Sequence, residues 1–405
     1  MRAFPVFFVC YVLSQFFRSF LAVIAPNLAA DVGLTDAGLG GVSAIWFLTF
    51  AFAQVPVGYA LDRFGPRRTV PLLMLAAVAG ALVFASARSF LPCALGMALI
   101  GLGSSPIYMG AIYVFARTEP PARFATLASV LVGLGSLGNL LGTTPLAYAS
   151  LAFGWRWTFV AISGLTALAA ALFWSAIKDP PRATTLAGKD DATTFGAAVP
   201  DMLLGIGRVL AIKGLLPILP VALVSYAIIL VERGLWAGPF LYEVHGLDTA
   251  ARGNALVAMA VMMAIGSILY GPMDRIFGSR KRVAVVGMAA TALGFLGMAF
   301  IPAVSTNPNV ATLMLAGIGA AGMTYGVILA HARAFLPEEL MGRGLTFINA
   351  LFIGGAGLLQ PLSGNAIAQW RQLDMPVATI YADLHLGFAV VLILALLIYL
   401  SSEDR

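Results

Sequence analysis

Two arginines lie in stretches of sequence that are otherwise almost free of charge. Arg18 lies in the apolar run 4–28, and Arg233 follows Glu232 in the apolar run 215–242. An ionisable side chain near the centre of a bilayer costs about 2.5 to 3.5 kcal/mol to insert, so it marks a functional position by default. A guanidinium stays charged and presents a planar fork of donors to oxyanions. We therefore predict that Arg18 and Arg233 bind an anionic small-molecule substrate.

Polar residues at helical spacing accompany the first of these arginines. Tyr11, Gln15 and Arg18 recur at positions i, i+4 and i+7, which places them on one face of a helix. Such a stripe predicts one wall of a substrate cavity. Four further polar residues within apolar runs are predicted to face the same cavity, although each could instead make a hydrogen bond between helices: Tyr108, Asn139, Tyr226 and Tyr325.

Glu232 is the predicted proton carrier. A buried carboxylate next to an arginine can titrate as the substrate site fills and empties. The alternative is a structural ion pair in which Glu232 neutralises Arg18 or Arg233. His331 is the second candidate for proton transfer, but its position two residues before Arg333 favours a structural role near the membrane surface.

These residues need a scaffold of membrane-spanning helices. Of the 405 residues, 60% are hydrophobic and only 10% are charged, and the mean hydropathy is +0.93. Soluble domains carry about 25% charged residues, so a water-soluble enzyme is excluded. Twelve apolar runs are long enough for a transmembrane helix of about 20 residues, and the first is too long for a signal peptide. We predict an all-α integral membrane protein with twelve transmembrane helices.

The basic residues set the predicted orientation. Most of the 24 Lys and Arg lie at the termini or in the even-to-odd connections. Basic loops stay on the cytoplasmic side, so both termini and the connection 178–214 are predicted to be cytoplasmic in a bacterial inner membrane. The net charge of +6 is therefore a topology signal, and no nucleic-acid partner is expected. Asp383 and His385 fall near the outer end of the last run, where we expect them to face water.

The two halves of the chain repeat one another. At a constant offset of 213, residues near runs 1 to 3 match residues near runs 7 to 9, for example Pro26 with Pro239. Parallel repeats are common in transporters and predict a substrate site between the halves. The predicted domains are an N-terminal six-helix bundle at 1–177, a cytoplasmic linker at 178–214 and a C-terminal six-helix bundle at 215–405.

Arg18 and Arg233 are offset by 215, two residues away from the repeat register. Two residues correspond to about 200° around a helix, so the two arginines break strict symmetry. We expect Gly234 or Pro239 to distort the helix that carries Arg233.

The connection after the second run carries the strongest motif. It contains a glycine, an Asp-Arg pair, a second glycine and two more arginines: Gly58, Asp62, Arg63, Gly65, Arg67 and Arg68. This pattern resembles the signature loop of the major facilitator superfamily, and a degenerate copy with Asp274 and Arg275 follows the eighth run. The resemblance implies the twelve-helix fold of that superfamily. It also implies a conformational latch, in which Gly58 permits close helix packing and Gly65 a sharp turn. The alternative is that the arginines only set topology.

An arginine in each of runs 1 and 7 also resembles the organic-anion and organophosphate branch of the superfamily, in which two guanidinia clamp the anion. The second run, around 46–56, lacks the lysine of the phosphate exchangers, which favours a carboxylate or a singly charged anion. We therefore expect a monomeric secondary active transporter that carries a small organic anion by alternating access, coupled to protons by symport. No cofactor is expected.

Two other transport functions remain open. One is proton-coupled export of drugs or metabolites, although Met97 replaces an arginine typical of exporters and 138–145 lacks their Gly-Pro-x-x-Gly-Gly pattern. The other is copper import, because Met259 and Met263 have a spacing that suits the soft ion Cu(I). Methionine is also an ordinary packing residue, and no cysteine joins this pair, so no metal site is predicted.

Overall fold

The computed structural model describes residues 4–119, 137–179, 207–337 and 340–404, together with scattered positions between 127 and 135. Most of the predicted linker 178–214 and the side chains of Asp62, Asp274 and Arg275 lie outside the described residues. The helices of the first half are α1 (Phe4–Ser19), α2 (Leu21–Val32), α3 (Asp36–Phe64), α4 (Pro66–Ala85), α5 (Phe90–Thr118), α6 (Leu137–Leu141) and α7 (Thr144–Ala176).

The second half opens with a short 3-10 turn at Leu216–Ile218 and a span broken by a π-helical turn at Glu232–Trp236. Helices are the only regular structure in the described residues. Those of the second half are α8 (Leu219–Val231), α9 (Ala237–Glu243), α10 (Thr249–Phe277), α11 (Arg280–Phe300), α12 (Pro302–Thr306), α13 (Pro308–Ala321), α14 (Tyr325–Arg333), α15 (Met341–Gln372) and α16 (Val377–Tyr399).

The number of spans agrees with the predicted twelve once one long segment is divided. Within the described residues, 10 helical segments are long and apolar enough to cross a membrane, and the bent pair of α1 and α2 brings the number to 11. One of them, Gly133–Ala176, has 44 residues. As a straight helix it would measure about 66 Å, twice the thickness of the hydrocarbon core. Gly154 interrupts it with φ 76° and ψ 151°, so the segment holds two spans.

The first and seventh spans are both broken partway along their length. Helices α1 and α2 are bent by 52° at Phe20. The distortion expected near Gly234 is present as the π-helical turn, in which the N–H of Ala237 donates to the carbonyl of Glu232. Pro239 supplies a physical reason, because proline has no N–H and its ring clashes with the carbonyl four residues earlier in an α-helix.

Aromatic clusters hold the first half together on each side of the membrane. Near the N-terminus, on what we call the terminal side, Phe7 lies edge to face with Phe115 and Phe173. On the opposite side, which we call the far side, Phe20 packs against Phe159 with ring centroids 4.7 Å apart. These contacts hold α1 and α2 against their own half.

The C-terminal residues fold back on the terminal side of the second half. His331 binds the hydroxyl of Tyr399 at 2.7 Å and the carbonyl of Glu403 at 2.8 Å, which gives it a structural contact. Ser279 Oγ donates to Asp404 Oδ2 at 2.5 Å, and this hydrogen bond lowers the pKa of Asp404 below its ordinary value.

Glycines close the far side between the halves. A Cβ on Gly238 of α9 would overlap the carbonyl oxygen of Ala22 in α2. A Cβ on Gly40 of α3 would lie 2.5 Å from the carbonyl oxygen of Gln360 in α15. Backbones therefore meet directly at both crossings, and a side chain at either glycine would force the halves apart.

Replacing Gly238 by valine is expected to open the far side. The added Cβ has no space beside Ala22, so α2 and α9 must separate, and hydrogen–deuterium exchange of 21–32 and 237–243 should rise several-fold. Gly164→Val is the matched control, because a Cβ there would meet nothing within 4 Å. Exchange that stays at the wild-type level in Gly238→Val would show that this contact does not hold the far side closed.

Candidate functional site

A cavity of about 200 Å³ lies between the two halves and is lined by polar and aromatic side chains. It contains six of the eight residues predicted to bind the substrate: Tyr11, Gln15, Arg18, Tyr108, Tyr226 and Tyr325. Gln54, Ser105 and Asn349 add further polar groups. The helical stripe of α1 thus lines one wall of this cavity.

Arg18 supplies the positive charge of this cavity. It lies in the last turn of α1, immediately before the bend at Phe20. Its guanidinium carbon is 5.6 Å from the ring centroid of Trp46 and 5.5 Å from that of Phe50, both on α3. The described residues place no carboxylate and no hydrogen-bond acceptor on this guanidinium, and its Nε atom is buried without a partner. The aromatic faces hold the cation in place without neutralising it.

Four tyrosines surround the cavity in two pairs, one from each half. The rings of Tyr11 and Tyr108 have centroids 5.5 Å apart, and those of Tyr226 and Tyr325 are 5.3 Å apart. The members come from equivalent spans, since Tyr11 and Tyr226 lie in the first span of each half. The hydroxyl of Tyr325 donates to Asn349 Oδ1 at 2.6 Å. The pairs offer hydroxyl groups and flat apolar faces to a small ligand.

Arg233 and Asn139 bind each other across the halves and are not among the residues that line the cavity. Arg233 is 4% exposed, and its Nη1 and Nη2 donate to the side-chain oxygen of Asn139 at 3.3 Å and its carbonyl at 2.9 Å. The carbonyl of Asn139 is available to Arg233 because α6 ends here. The N–H of Thr143, which would bind that carbonyl in a continuing α-helix, donates to the carbonyl of Leu140. In this conformation only one of the two arginines predicted to clamp the anion, Arg18, lines the cavity, and Arg233 ties the halves together.

Glu232 is paired with a histidine and not with either arginine. Its Oε1 lies 3.3 Å from Nε2 of His385, and neither side chain has any exposed surface. The expectation that His385 faces water is therefore wrong. Helix α16 buries a face that recurs at Tyr381, His385 and Phe388, a helical spacing that could have shown His385 pointing inwards.

An ion-pair network joins the halves on the far side, and the sequence did not single it out. Arg371, at the end of α15, donates from Nε to Asp36 Oδ2 and from Nη2 to Glu243 Oε2, both at 2.6 Å. Asp36 belongs to the first turn of α3, whereas Arg371 and Glu243 belong to the second half. We call this group the far-side network. It reinforces the closure made by the glycine contacts.

The signature motif lies on the terminal side, where Arg67 binds residues at the end of α7 and just beyond it. The backbone N–H of Arg67 donates to Asp179 Oδ1 at 2.8 Å, and Arg63 Nη1 donates to the hydroxyl of Tyr59. Gly65 has φ 78°, so the sharp turn is present. Gly58 does not mediate close packing in this conformation, because a Cβ there would meet nothing within 4 Å. The motif's Asp62 and the copy's Asp274 and Arg275 have side chains outside the described residues.

Met259 and Met263 pack against the backbone of α13. A Cβ on Gly319 would lie 3.1 Å from Cγ of each methionine, so both fill the contact between α10 and α13. The residues that the structure describes contain no group of three or more His, Cys, Asp or Glu side chains that could hold a metal ion. The pair therefore has a packing function that needs no copper.

Residues 7–251, more than half of the chain, match the family described as the Major Facilitator Superfamily. A solved structure of a bacterial homologue of the human lysosomal transporter Spinster, in an inward-facing and occupied conformation, has a TM-score of 0.77. It is 18% identical, and the match covers 98% of this chain and 96% of that chain. At this identity the likeness shows the fold alone.

The chain is also similar to curated transport and resistance proteins. The nitrate/nitrite transporter NrtP of Picosynechococcus sp. (strain ATCC 27264 / PCC 7002 / PR-6) is 31% identical over 148 residues, 36% of this chain and 26% of that protein. The fosmidomycin resistance protein of Escherichia coli (strain K12) is 24% identical over 86% of this chain and 82% of its own length. The hexuronate transporter of Bacillus subtilis (strain 168) is 23% identical over 89% of this chain and 86% of its own length.

Proposed function

Because the chain belongs to the Major Facilitator Superfamily, we propose that it is a secondary active transporter of a small, singly charged organic anion. Its two six-helix bundles, 1–177 and 215–405, rock about the central cavity, and the linker 178–214 joins them. The membrane is a bacterial inner membrane, with both termini in the cytoplasm. Under this orientation the terminal side is cytoplasmic and the far side is external.

Arg18 is the observation that carries the proposal. Its guanidinium points into the cavity between the halves and, among the described residues, has neither an ion-pair partner nor a hydrogen-bond acceptor. A partly buried cation without a counter-ion carries a desolvation cost, so the site has the charge that an anionic ligand would complete. A carboxylate or nitrate can accept two parallel N–H donors from one guanidinium.

The wall of the cavity favours one negative charge on the substrate. Arg18 supplies the only cationic side chain among the described lining residues, since Arg233 is held by Asn139. The tyrosine, glutamine and asparagine groups can bind hydroxyl groups of the ligand without adding charge. Two of the relatives are named for nitrate and for hexuronate, which are both monoanions. A doubly charged phosphate ester would lack a second counter-charge at this site.

The closed far side is one end state of alternating access. Glycine contacts and the far-side network hold the halves together there, whereas Arg67 of the signature motif binds Trp174 in α7 and Asp179 just beyond that helix. We propose that the far side opens when the network breaks and that the motif then latches the terminal side.

Arg371→Gln is expected to shift the population towards the far-side-open state. Losing the two charged hydrogen bonds of a partly buried arginine should cost about 2 kcal/mol, a roughly 30-fold change in the equilibrium between states. Labelling of a cysteine introduced at Ala22 with an impermeant maleimide should accelerate accordingly. Arg88→Gln is the control, because Arg88 is an exposed far-side arginine outside the network. An unchanged labelling rate in Arg371→Gln would remove the network from the gate.

Export of an anion is the second candidate function. The relative named for fosmidomycin resistance aligns with most of this chain, and an anionic cargo would use Arg18 in either direction. Copper import is not proposed, since Met259 and Met263 pack against Gly319.

A thermal-shift screen of the purified protein tests the proposed substrate class. The probes are sodium nitrate, sodium D-glucuronate, inorganic phosphate and D-xylose at matched ionic strength. A ligand at 100 times its Kd stabilises the folded state by about 2.7 kcal/mol, so at least one monoanion should raise Tm by several degrees. Stabilisation by the neutral sugar alone, or by phosphate in preference to both monoanions, would contradict the proposal.

A further inference from the structure

A buried carboxylate–imidazole pair lies behind the cavity wall, inside the second half. Glu232 Oε1 and His385 Nε2 are 3.3 Å apart, and both side chains are fully buried. Oε2 of Glu232 and Nδ1 of His385 have no hydrogen-bond partner in the part of the chain that the structure describes. Buried polar atoms are normally hydrogen-bonded, because an unmade bond costs about 1 to 3 kcal/mol. Two such atoms in one pair mark positions where a proton can bind.

The net charge of the pair changes by one when it binds a proton. A carboxylate beside a neutral imidazole carries a net charge of −1, and one added proton makes the pair neutral, whichever of the two groups holds it. A low-dielectric site favours the neutral form. Releasing the proton restores the charge of −1 and breaks no other bond. The pair can therefore load and discharge one proton in each cycle.

Aromatic rings pack against the imidazole on two sides. Phe240 lies edge to face with His385, at 5.3 Å between ring centroids, and Phe295 stacks on it at 6.1 Å. The other described ionisable groups on the pair's own elements and on the elements packed against them are the neighbouring Arg233, Cys10, Tyr11 and Arg18 on α1, Asp31 on α2, Asp36, Tyr59 and Arg63 on α3, Tyr226 on α8, Tyr242 and Glu243 on α9, Arg280, Lys281 and Arg282 on α11, Arg371 on α15, and Tyr381, Asp383 and Tyr399 on α16.

The π-helical turn connects this pair to the other half of the protein. Glu232 and Arg233 are consecutive in that turn, yet they bind opposite halves, His385 in one case and Asn139 in the other. A displacement of this turn that changes the separation of Glu232 and His385 also displaces Arg233, because the two residues are consecutive. A change in the protonation of Glu232 and His385 can therefore alter the contact between Arg233 and Asn139. A two-state mechanism requires such a coupling between proton binding and the separation of the halves.

We propose that Glu232 and His385 together form the proton site of the transport cycle. His385 acts as a positioning residue that shares the proton with the carboxylate, and the π-helical turn transmits the protonation state to the Arg233–Asn139 contact. This inference rests on the proposed transport function together with the proton symport that the sequence predicts, and it names the second member of the proton site. It also places that site outside the substrate cavity.

Infrared difference spectroscopy tests the pair without any substrate. The protein is reconstituted in phosphatidylethanolamine–phosphatidylglycerol vesicles, and spectra in acidic and alkaline buffer are compared. The wild type should show a protonated-carboxyl band that Glu232→Gln abolishes. Because His385 is the hydrogen-bond partner of this carboxyl group, His385→Gln should shift the frequency of that band. His331→Gln is the control, because it replaces the buried histidine that binds Tyr399. A band with an unchanged frequency in His385→Gln overturns the inference.

Transport measurements separate this inference from the proposed function. Nitrate and D-glucuronate serve as probes for counterflow at equal pH and for accumulation driven by a pH gradient. His385→Gln should retain counterflow and lose accumulation, whereas His331→Gln should keep both. Wild-type counterflow with no pH-driven accumulation would refute proton coupling itself. Wild-type accumulation that persists in His385→Gln would refute only the role of the pair. If His385→Gln does not fold, His385→Asn and the double variant Glu232→Gln/His385→Gln carry the same comparison.

Discussion

Replacing Arg18 by glutamine is expected to weaken anion binding by about a hundredfold or more, because it removes the charge and at least one charged hydrogen bond worth about 1.5 to 3 kcal/mol. Arg18→Lys keeps the charge but replaces a planar fork by a point charge, so about a tenfold loss is expected. Binding of nitrate and D-glucuronate to the purified variants, measured by calorimetry, checks both values.

The stability of the ligand-free variant distinguishes binding from folding. In the described residues Arg18 has no ion-pair partner, so Arg18→Gln removes an uncompensated, partly buried charge and should leave the ligand-free Tm equal or higher. Arg88→Gln is the matched control, since it removes an exposed arginine from the same half. Unchanged anion affinity in Arg18→Gln would remove Arg18 from the site. A collapse of the ligand-free Tm would instead assign it a structural function.

Glu232→Gln is expected to uncouple transport from the proton gradient. Symport of one proton with a singly charged anion moves no net charge, so the pH gradient alone drives it. Each pH unit provides about 1.4 kcal/mol, which supports roughly tenfold accumulation in the wild type. Glutamine has nearly the same shape and can still accept a hydrogen bond from His385, but it binds no proton. Accumulation should therefore fall to equilibrium while counterflow at equal pH continues.

Asp383→Asn is the control for this variant, because it replaces a half-buried carboxyl group on α16, two residues before His385. It should leave both counterflow and accumulation at wild-type values. If Glu232→Gln still accumulates the anion fully in proteoliposomes, Glu232 is not the proton carrier, whatever the behaviour of the control.

The wall of the cavity could be predicted because it depends on helical periodicity alone. Tyr11, Gln15 and Arg18 share one face of α1, and that face meets the cavity. The tyrosines from later spans follow the same logic, since each is a polar group on an otherwise apolar helix. The sharp turn at Gly65 also follows from local sequence, because glycine is favoured at a positive φ.

The partner of Arg233 could not be predicted from the same pattern. The π-helical turn adds one residue to the turn and rotates everything after it, so the face on which Arg233 lies depends on how Pro239 is accommodated. The acceptor of Arg233, the carbonyl of Asn139, is available only because α6 ends two residues later. The residues around Arg233 in the sequence indicate neither the π-helical turn nor the end of α6.

Pairs of side chains from spans that are distant in the chain could not be predicted from the sequence either. Glu232 and His385 are separated by 153 positions, and Arg371 and Asp36 by 335. A charged residue near the end of a span looks like a solvent-facing group until its neighbours are known. Gly238 and Gly40 resemble the many other glycines of the chain, and only the packing shows that they close the far side.

Uptake of D-glucuronate and nitrate into proteoliposomes, compared between the wild type and Arg18→Gln, tests the central claim most directly. The wild type should take up at least one of these anions with saturable kinetics, and an inwardly directed proton gradient should accelerate it. Arg18→Gln should reduce that uptake to the rate of empty vesicles. Saturable uptake that is equally fast in Arg18→Gln, or the absence of any saturable anion flux in the wild type, would contradict the account.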